Sequence, residues 1–290
     1  MICVTNIKDR IITATIALAI ALVVFGCVET ADAMEINVNR VYGGSGAAVQ
    51  IYQDKIVKNK ALNNDTVGFI HIPYTNIQYP LVQADKVVCN VHGIVDQCYY
   101  MKRTELGVPT YGTQDSAVFV DTLANGITRS TLGKNTVIYG HNWRNVQKGG
   151  TAARIANPND TMFGQLPSFS NYNFASGIPY FTIENGEESL TFLIFSVNYI
   201  SSWDPKDPGG VYFWNCYPTD AEQQSLINYL QHTSEHEYHV PVDSSDKVVI
   251  LQTCTYKYRQ DDLGRFLVCG RLLRDGESAY DYPAPSIKTK

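Results

Sequence analysis

The chain is poor in charge. Only 18% of its 290 residues are Asp, Glu, Lys or Arg, and 23 basic residues against 28 acidic ones leave a net charge of −5. A nucleic-acid-binding domain shows a basic excess, commonly gathered on one face, and this chain has none. Disorder is excluded by the other side of the composition, because 44% of the residues are apolar and can bury a core. Glycine and proline are not in excess, at 21 and 12, which excludes collagen-like and low-complexity chains. There is no internal repeat and no glycine-rich phosphate loop, so no nucleotide cofactor is implied. Cysteine occurs at 3, 27, 89, 98, 216, 254 and 269. The spacing contains no CxxC and no Cys/His pair of zinc type, so neither a metal nor another cofactor is expected. What the chain does have is tyrosine, 19 of them, which leans towards strands.

One uncharged run stands apart. Ile11 to Val28 is 18 residues long and follows Lys8 and Arg10. At ~1.5 Å per residue it spans about 27 Å, close to the hydrocarbon thickness of a bilayer. A basic flank before it orients the N-terminus inside and the remainder outside. The leading expectation is a retained signal-anchor that crosses the cell membrane once. Two alternatives stay open: a signal peptide cleaved near Ala31-Asp32-Ala33, and a lipoprotein acylated at Cys27 of Val24-Phe25-Gly26-Cys27. All three readings place residues from about 30 onward outside the cytoplasm. Val41-Tyr42-Gly43-Gly44-Ser45-Gly46 then reads as linker. Five cysteines follow the apolar run, an odd number, so at least one thiol is unpaired. Cys89 and Cys98 could close a short loop.

The remaining sequence is strand-rich. Residues 48–62 carry Val49, Tyr52, Ile56 and Leu62 at near-helical spacing. Short apolar runs follow at 67–72, 77–83, 116–122, 135–142, 180–185, 189–200, 247–255 and 265–273. Gly186-Glu187 marks a hairpin between the fifth and sixth. Eight such runs suggest a barrel or a sandwich. A second helix, capped by Thr219 or Asp220, precedes the penultimate run and puts Leu226, Ile227 and Leu230 on one face. The mainly β fold therefore has one helix at its start and one before its penultimate strand. The last residues are polar and are expected to lie loosely on the surface.

Three residues are candidates for chemistry. Cys254 ends the run VVILQTCT, where a rigid strand opens into a loop and a thiol can meet solvent. His141 ends TVIYG and begins a Gly-His-Asn turn. Arg265 opens the last run and can approach Cys254 if the two strand ends are neighbours. Arg259, in the intervening loop, could also reach. Arg271 lies six residues further along, about 20 Å at ~3.3 Å per residue, too far to be a partner. Taken singly, each candidate has an ordinary reading: a packed thiol, a hydrogen-bonded histidine, a solvated arginine. His232, His236 and His239 are expected to be solvated.

Together the residues match a family. Segments 63–83 (NNDTVGFIHIPYTNIQYPLVQ), 99–107 (YYMKRTELG), 116–121, NTVIYGHNW (135–143), TMFGQL (161–166), FLIFSV (192–197), VVILQTCTY (248–256) and GRFLVCGRLL (264–273) resemble the class B sortases, cell-wall transpeptidases of Gram-positive-type bacteria. The resemblance runs from about 48 to 273. It implies an eight-stranded sortase-type β-barrel, with residues 1–10 cytoplasmic, 11–28 the membrane anchor, 29–47 a linker, 48–275 the catalytic domain and 276–290 a polar tail. It implies Cys254 as nucleophile, His141 as proton carrier and Arg265 as stabiliser of the oxyanion. The implied partners are secreted proteins with an LPXTG-like or NPXTG-like sorting signal and a peptidoglycan crossbridge amine. A pilin-polymerising sortase and an inert surface lipoprotein are the alternatives. Two features depart from the family pattern. The Cys-to-Arg loop is about one residue longer, and residues 144–160 form an extension that could fold over the groove.

Overall fold

A computed structural model describes residues 46–84, 90–91, 94–95, 98–110, 116–143, 155, 159–201, 213–257 and 264–289. The apolar run 11–28, Cys27, most of the linker, Cys89 and with it any Cys89–Cys98 bond, Arg259, and all of the 144–160 extension except 155, 159 and 160 lie outside these residues. Among the described residues no helix is long and apolar enough to cross a membrane.

The chain divides into two units, residues 1–51 and 52–290, and the barrel belongs to the second. Helix α1 covers Gly46–Leu62, and strands β1 (Thr66–His71) and β2 (Gln78–Val82) follow it. Two short strands, β3 (Asn90–Val91) and β4 (Ile94–Val95), lead to a single helical turn, α2 (Cys98–Met101). Next come β5 (Val118–Val120), β6 (Asn135–Tyr139), β7 (Asn142–Trp143) and β8 (Thr161–Met162). A 3-10 turn at Leu166–Ser170 and helix α3 (Tyr172–Ser176) precede β9 (Tyr180–Glu184) and β10 (Ser189–Ser201). The rest is α4 (Asp220–Thr233), β11 (His236–Glu237), β12 (Val248–Thr255), β13 (Gly264–Leu272) and β14 (Ser286–Ile287). The eight predicted runs supply the eight strands of one closed barrel, in the order β1-β2-β5-β6-β12-β13-β10-β9. Closure leaves no edge strand unpaired. The β2–β5 and β6–β12 pairs are parallel and the others antiparallel.

Period-two alternation sorts the side chains. Ile138 of β6, Val249 and Leu251 of β12, and Phe266 and Val268 of β13 belong to the central apolar cluster. The residues between them therefore take the outer face, which puts His141, Cys254 and Arg265 there together. Part of that outer face is covered by α4. Its Leu226, Ile227 and Leu230 are buried, each contributing about 1.5–3 kcal/mol. Asn198 of β10 reaches out to Leu230 O (2.7 Å) and Thr233 Oγ1 (2.8 Å), and Gln223 donates to Lys134 O (3.0 Å). Thr219 and Glu222 form a reciprocal capping box at the start of α4. The β9–β10 hairpin turns at Gly186, whose φ of 92° is open to glycine without strain.

Two expectations are corrected. His236 is not solvated: it is 5% exposed, and its Nε2 hydrogen-bonds Phe169 O at 2.9 Å. The chain after α4 turns inward, and a carbonyl of the 3-10 turn offers the ring a buried acceptor. Nor is the tail loose. β14 pairs with β11, and Lys288 Nζ donates to Gln231 O (3.0 Å) and His232 O (2.5 Å) at the end of α4. Its anchor is Glu277, which takes a bidentate pair from Arg271 (2.6 and 2.8 Å) and accepts from Tyr282 OH (2.7 Å). The Arg271 side chain is wholly buried, and its Nε donates to Pro241 O (2.7 Å).

The Arg271 bonds, opposed by burial and helped by Tyr282, hold the Glu277 carboxyl at about 2 instead of an ordinary 4.5. A carboxyl depressed in the folded state contributes stability above its unfolded value and loses it as pH falls through the folded one. Glu277→Gln should therefore be less stable than wild type above about pH 4.5, with the gap closing as pH falls towards 2. Urea unfolding of both proteins across that range checks this; a gap independent of pH would show that Glu277 does not bear the tether.

Candidate active site

The site is built by the parallel pair. β6 and β12 run side by side in register from Asn135 opposite Val248 to Tyr139 opposite Gln252. The zipper continues past the strand ends. Gly140 N donates to Gln252 O (3.1 Å), Thr253 Oγ1 to Gly140 O (2.7 Å), and Asn142 Nδ2 to Cys254 O (2.8 Å). His141 and Cys254 thus sit level at the same end of adjacent strands. The third candidate arrives from the other side of β12: Cys254 and Arg265 are register partners across the antiparallel β12–β13 pair, a relation that puts Cβ atoms about 4.5–5.5 Å apart on one face. All three sequence candidates are brought to one end of the barrel. Arg271 is paired with Val248 at the far end and is consumed by Glu277.

Burial separates the thiols. Among the described residues, Cys216, Cys254 and Cys269 form no disulfide. Cys216 is 4% exposed and Cys269 not at all. Burial, and next the Asp121 charge, push the Cys216 thiol up; burial pushes Cys269 up to about 12. A buried apolar setting disfavours the thiolate, which is the nucleophilic form. Cys254 is partly exposed, on a strand whose preceding six residues are all buried.

His141 is half-buried and its Nε2 lies 2.7 Å from Met101 O. A carbonyl only accepts, so Nε2 carries a proton and donates it to Met101 O. The carbonyl is itself held in place. Tyr100 OH donates to Asp65 Oδ2 (2.6 Å), and Asn63 Nδ2 donates to Tyr100 OH (2.8 Å) and Glu105 O (2.7 Å). The turn between α1 and β1 therefore fixes the segment that orients the imidazole. On the other flank Phe163 N donates to His141 O (2.9 Å). Phe163 packs on Gly140 so closely that a Cβ there would sit 2.6 Å from its ring; the glycine of the YGHN turn is a requirement of packing. Sequence reasoning missed Asn63, Asp65, Tyr100 and Asn142. The only signal was their presence in the motif segments, since a cross-chain hydrogen bond leaves no periodicity. Among the described residues no group of three or more His, Cys, Asp or Glu is placed to hold a metal ion.

Comparison with known proteins agrees with the geometry. No protein-family model matches the chain. Sortase B of Listeria monocytogenes is 24% identical over 221 residues, 76% of this chain and 75% of that protein. The chain is thus similar to sortase B over most of both sequences. The X-ray structure of Clostridium perfringens sortase B superposes with a TM-score of 0.57 at 22% identity, over 75% of this chain and 99% of that one. A Staphylococcus aureus sortase B–substrate complex gives 0.58 at 18% identity, over 78% and 87%. The closed barrel is thus the sortase fold, and sequence similarity and fold together support a sortase cysteine transpeptidase.

Exposure predicts reactivity. In the folded protein, iodoacetamide should alkylate Cys254 well before Cys216 or Cys269, which become reactive only on denaturation; peptide mass spectrometry over time reads the order. Gly140→Ala should lower stability by about 1–3 kcal/mol through overpacking against Phe163, measured by urea unfolding; unchanged stability would remove the argument for that glycine.

Proposed function

We propose that this protein cleaves a C-terminal sorting motif at a Thr–Gly bond and transfers the upstream protein to a peptidoglycan amine. The observation that carries the reading is the levelling of Cys254 and His141 by the β6–β12 zipper, with Arg265 in register across β13. The reaction is acyl transfer in two steps. A thiolate at Cys254 attacks the threonine carbonyl, favoured by an imidazolium at His141. His141 then protonates the departing amine, and a thioester remains. In the second step an incoming amine gives a proton to His141 and displaces the sulfur. Arg265 keeps its proton at physiological pH and so is no base; its guanidinium can donate to the tetrahedral oxyanion. The apolar run 11–28 supports an anchoring role: a single span would hold the barrel outside the membrane, where exported substrates emerge.

Cys254→Ala should abolish thioester formation, and His141→Ala should nearly do so, both read by mass spectrometry of the acyl-enzyme with sorting peptides. Arg265→Ala should lose about 10²–10³ in rate, as expected for removal of an oxyanion donor, while Arg259→Ala stays near wild type. The reverse ranking would transfer the role to Arg259, and an active Cys254→Ala would end the assignment.

A further inference from the structure

A cavity lies one strand over from His141, on the β5 side of the site. It measures ≈ 400 Å³ and includes Tyr79, Glu105, Ala117, Val118, Thr161 and Met162 in its lining. Its position follows from strand register. Phe119 faces Tyr139 and Val120 faces Ile138 across β5–β6; continuing the count puts Ala117 level with His141, one strand over. The cavity walls are the same segments that hold the histidine. One runs from the end of α2, where Met101 O accepts from His141 (2.7 Å), to Arg103, whose O accepts from Ala117 N (2.7 Å). The other is the β7–β8 ladder, where Met162 pairs with Asn142 and Met162 N donates to Tyr79 OH (2.8 Å).

One feature is left over from folding. Glu105 is among the lining residues, and no cation among the described residues pairs with its carboxylate. A largely apolar lining with one carboxylate suits a short, flexible chain bearing a cation.

We propose that this cavity receives the acceptor: a peptide with a primary amine, drawn in as its ammonium by Glu105 and delivered to the thioester from the His141 side. The inference rests on the transpeptidase reading above. In the step it serves, the ammonium first loses one proton to solvent. The neutral nitrogen then adds to the thioester carbonyl and forms the amide bond. The C–S bond breaks, Cys254 leaves as thiolate, and the second amine proton passes to His141. That restores the thiolate and imidazolium of the starting state. Glu105 takes no part in the bond changes and acts on acceptor affinity.

The test separates the two half-reactions in Glu105→Gln. With a sorting peptide and water alone, acyl-enzyme formation and hydrolysis should match wild type. With triglycine as acceptor, KM should rise about fivefold, the equivalent of about 1 kcal/mol, with kcat little changed. Glu105→Lys should raise KM further. Hydroxylamine, small and uncharged at neutral pH, should show no change in either variant. A triglycine KM equal to wild type in both variants overturns the inference while leaving the transpeptidase reading standing. A changed KM for the sorting peptide with an unchanged acceptor KM also overturns it, by giving the cavity to the donor. Failure of the wild-type protein to form any acyl-enzyme sinks the transpeptidase reading instead.

Discussion

The parallel contact between β6 and β12 is the constraint on which the rest depends. Hydrogen bonding of parallel strands fixes which residues are level, and here it levels two residues that sequence keeps far apart. Asn142 and Cys254 are 112 positions apart, yet the amide of one holds the carbonyl of the other at 2.8 Å. Such a pair needs a long crossover, and α4 with the neighbouring strands provides it. A slip of one residue would send Cys254 to the barrel interior, because alternate side chains face opposite sides. Register is pinned by the apolar alternation of Val249 and Leu251 against the core and by the Thr253 bond to Gly140 O.

The same geometry divides labour between chemically identical groups. β13 carries two arginines on one face, six residues apart. Arg271 sits at the end covered by the tail and is wholly desolvated. A lone buried guanidinium would be costly, so a carboxylate must accompany it, and Glu277 does. Arg265 sits at the open end, partly exposed, level with Cys254. Three cysteines are sorted in the same way. Burial silences Cys216 and Cys269, and the strand end spares Cys254.

Much of this was legible in the sequence. The eight barrel strands, both long helices and the hairpin at Gly186 are local patterns, and each was readable from period, cap or turn residue. Cys254, His141 and Arg265 were readable as strand-end residues, and the resemblance to class B sortases joined them. The partnership of β6 with β12 was not readable, because buried strands show apolar runs that carry no partner information. The two-residue ladders β7–β8 and β11–β14 are too short for any periodicity. His236 misled because its neighbours are polar; its acceptor, Phe169 O, lies 67 positions away. The tail misled in the same manner, since its composition is that of a solvated segment while one residue, Glu277, ties it to the core.

These misses share a physical origin, which bears on the active site itself. Sequence patterns report burial along one element, whereas a catalytic array is a set of hydrogen bonds between elements. The imidazole shows this well. Its orientation depends on Met101 O, the segment that carries this carbonyl on the Tyr100 phenol bonded directly to Asp65 and Asn63, and those residues on the turn after α1. Burial, followed by the Asp65 bond, pushes the Tyr100 phenol up. A tyrosine and an asparagine far from His141 in the sequence therefore help to hold its ring in place, through hydrogen bonds that no single element's pattern encodes.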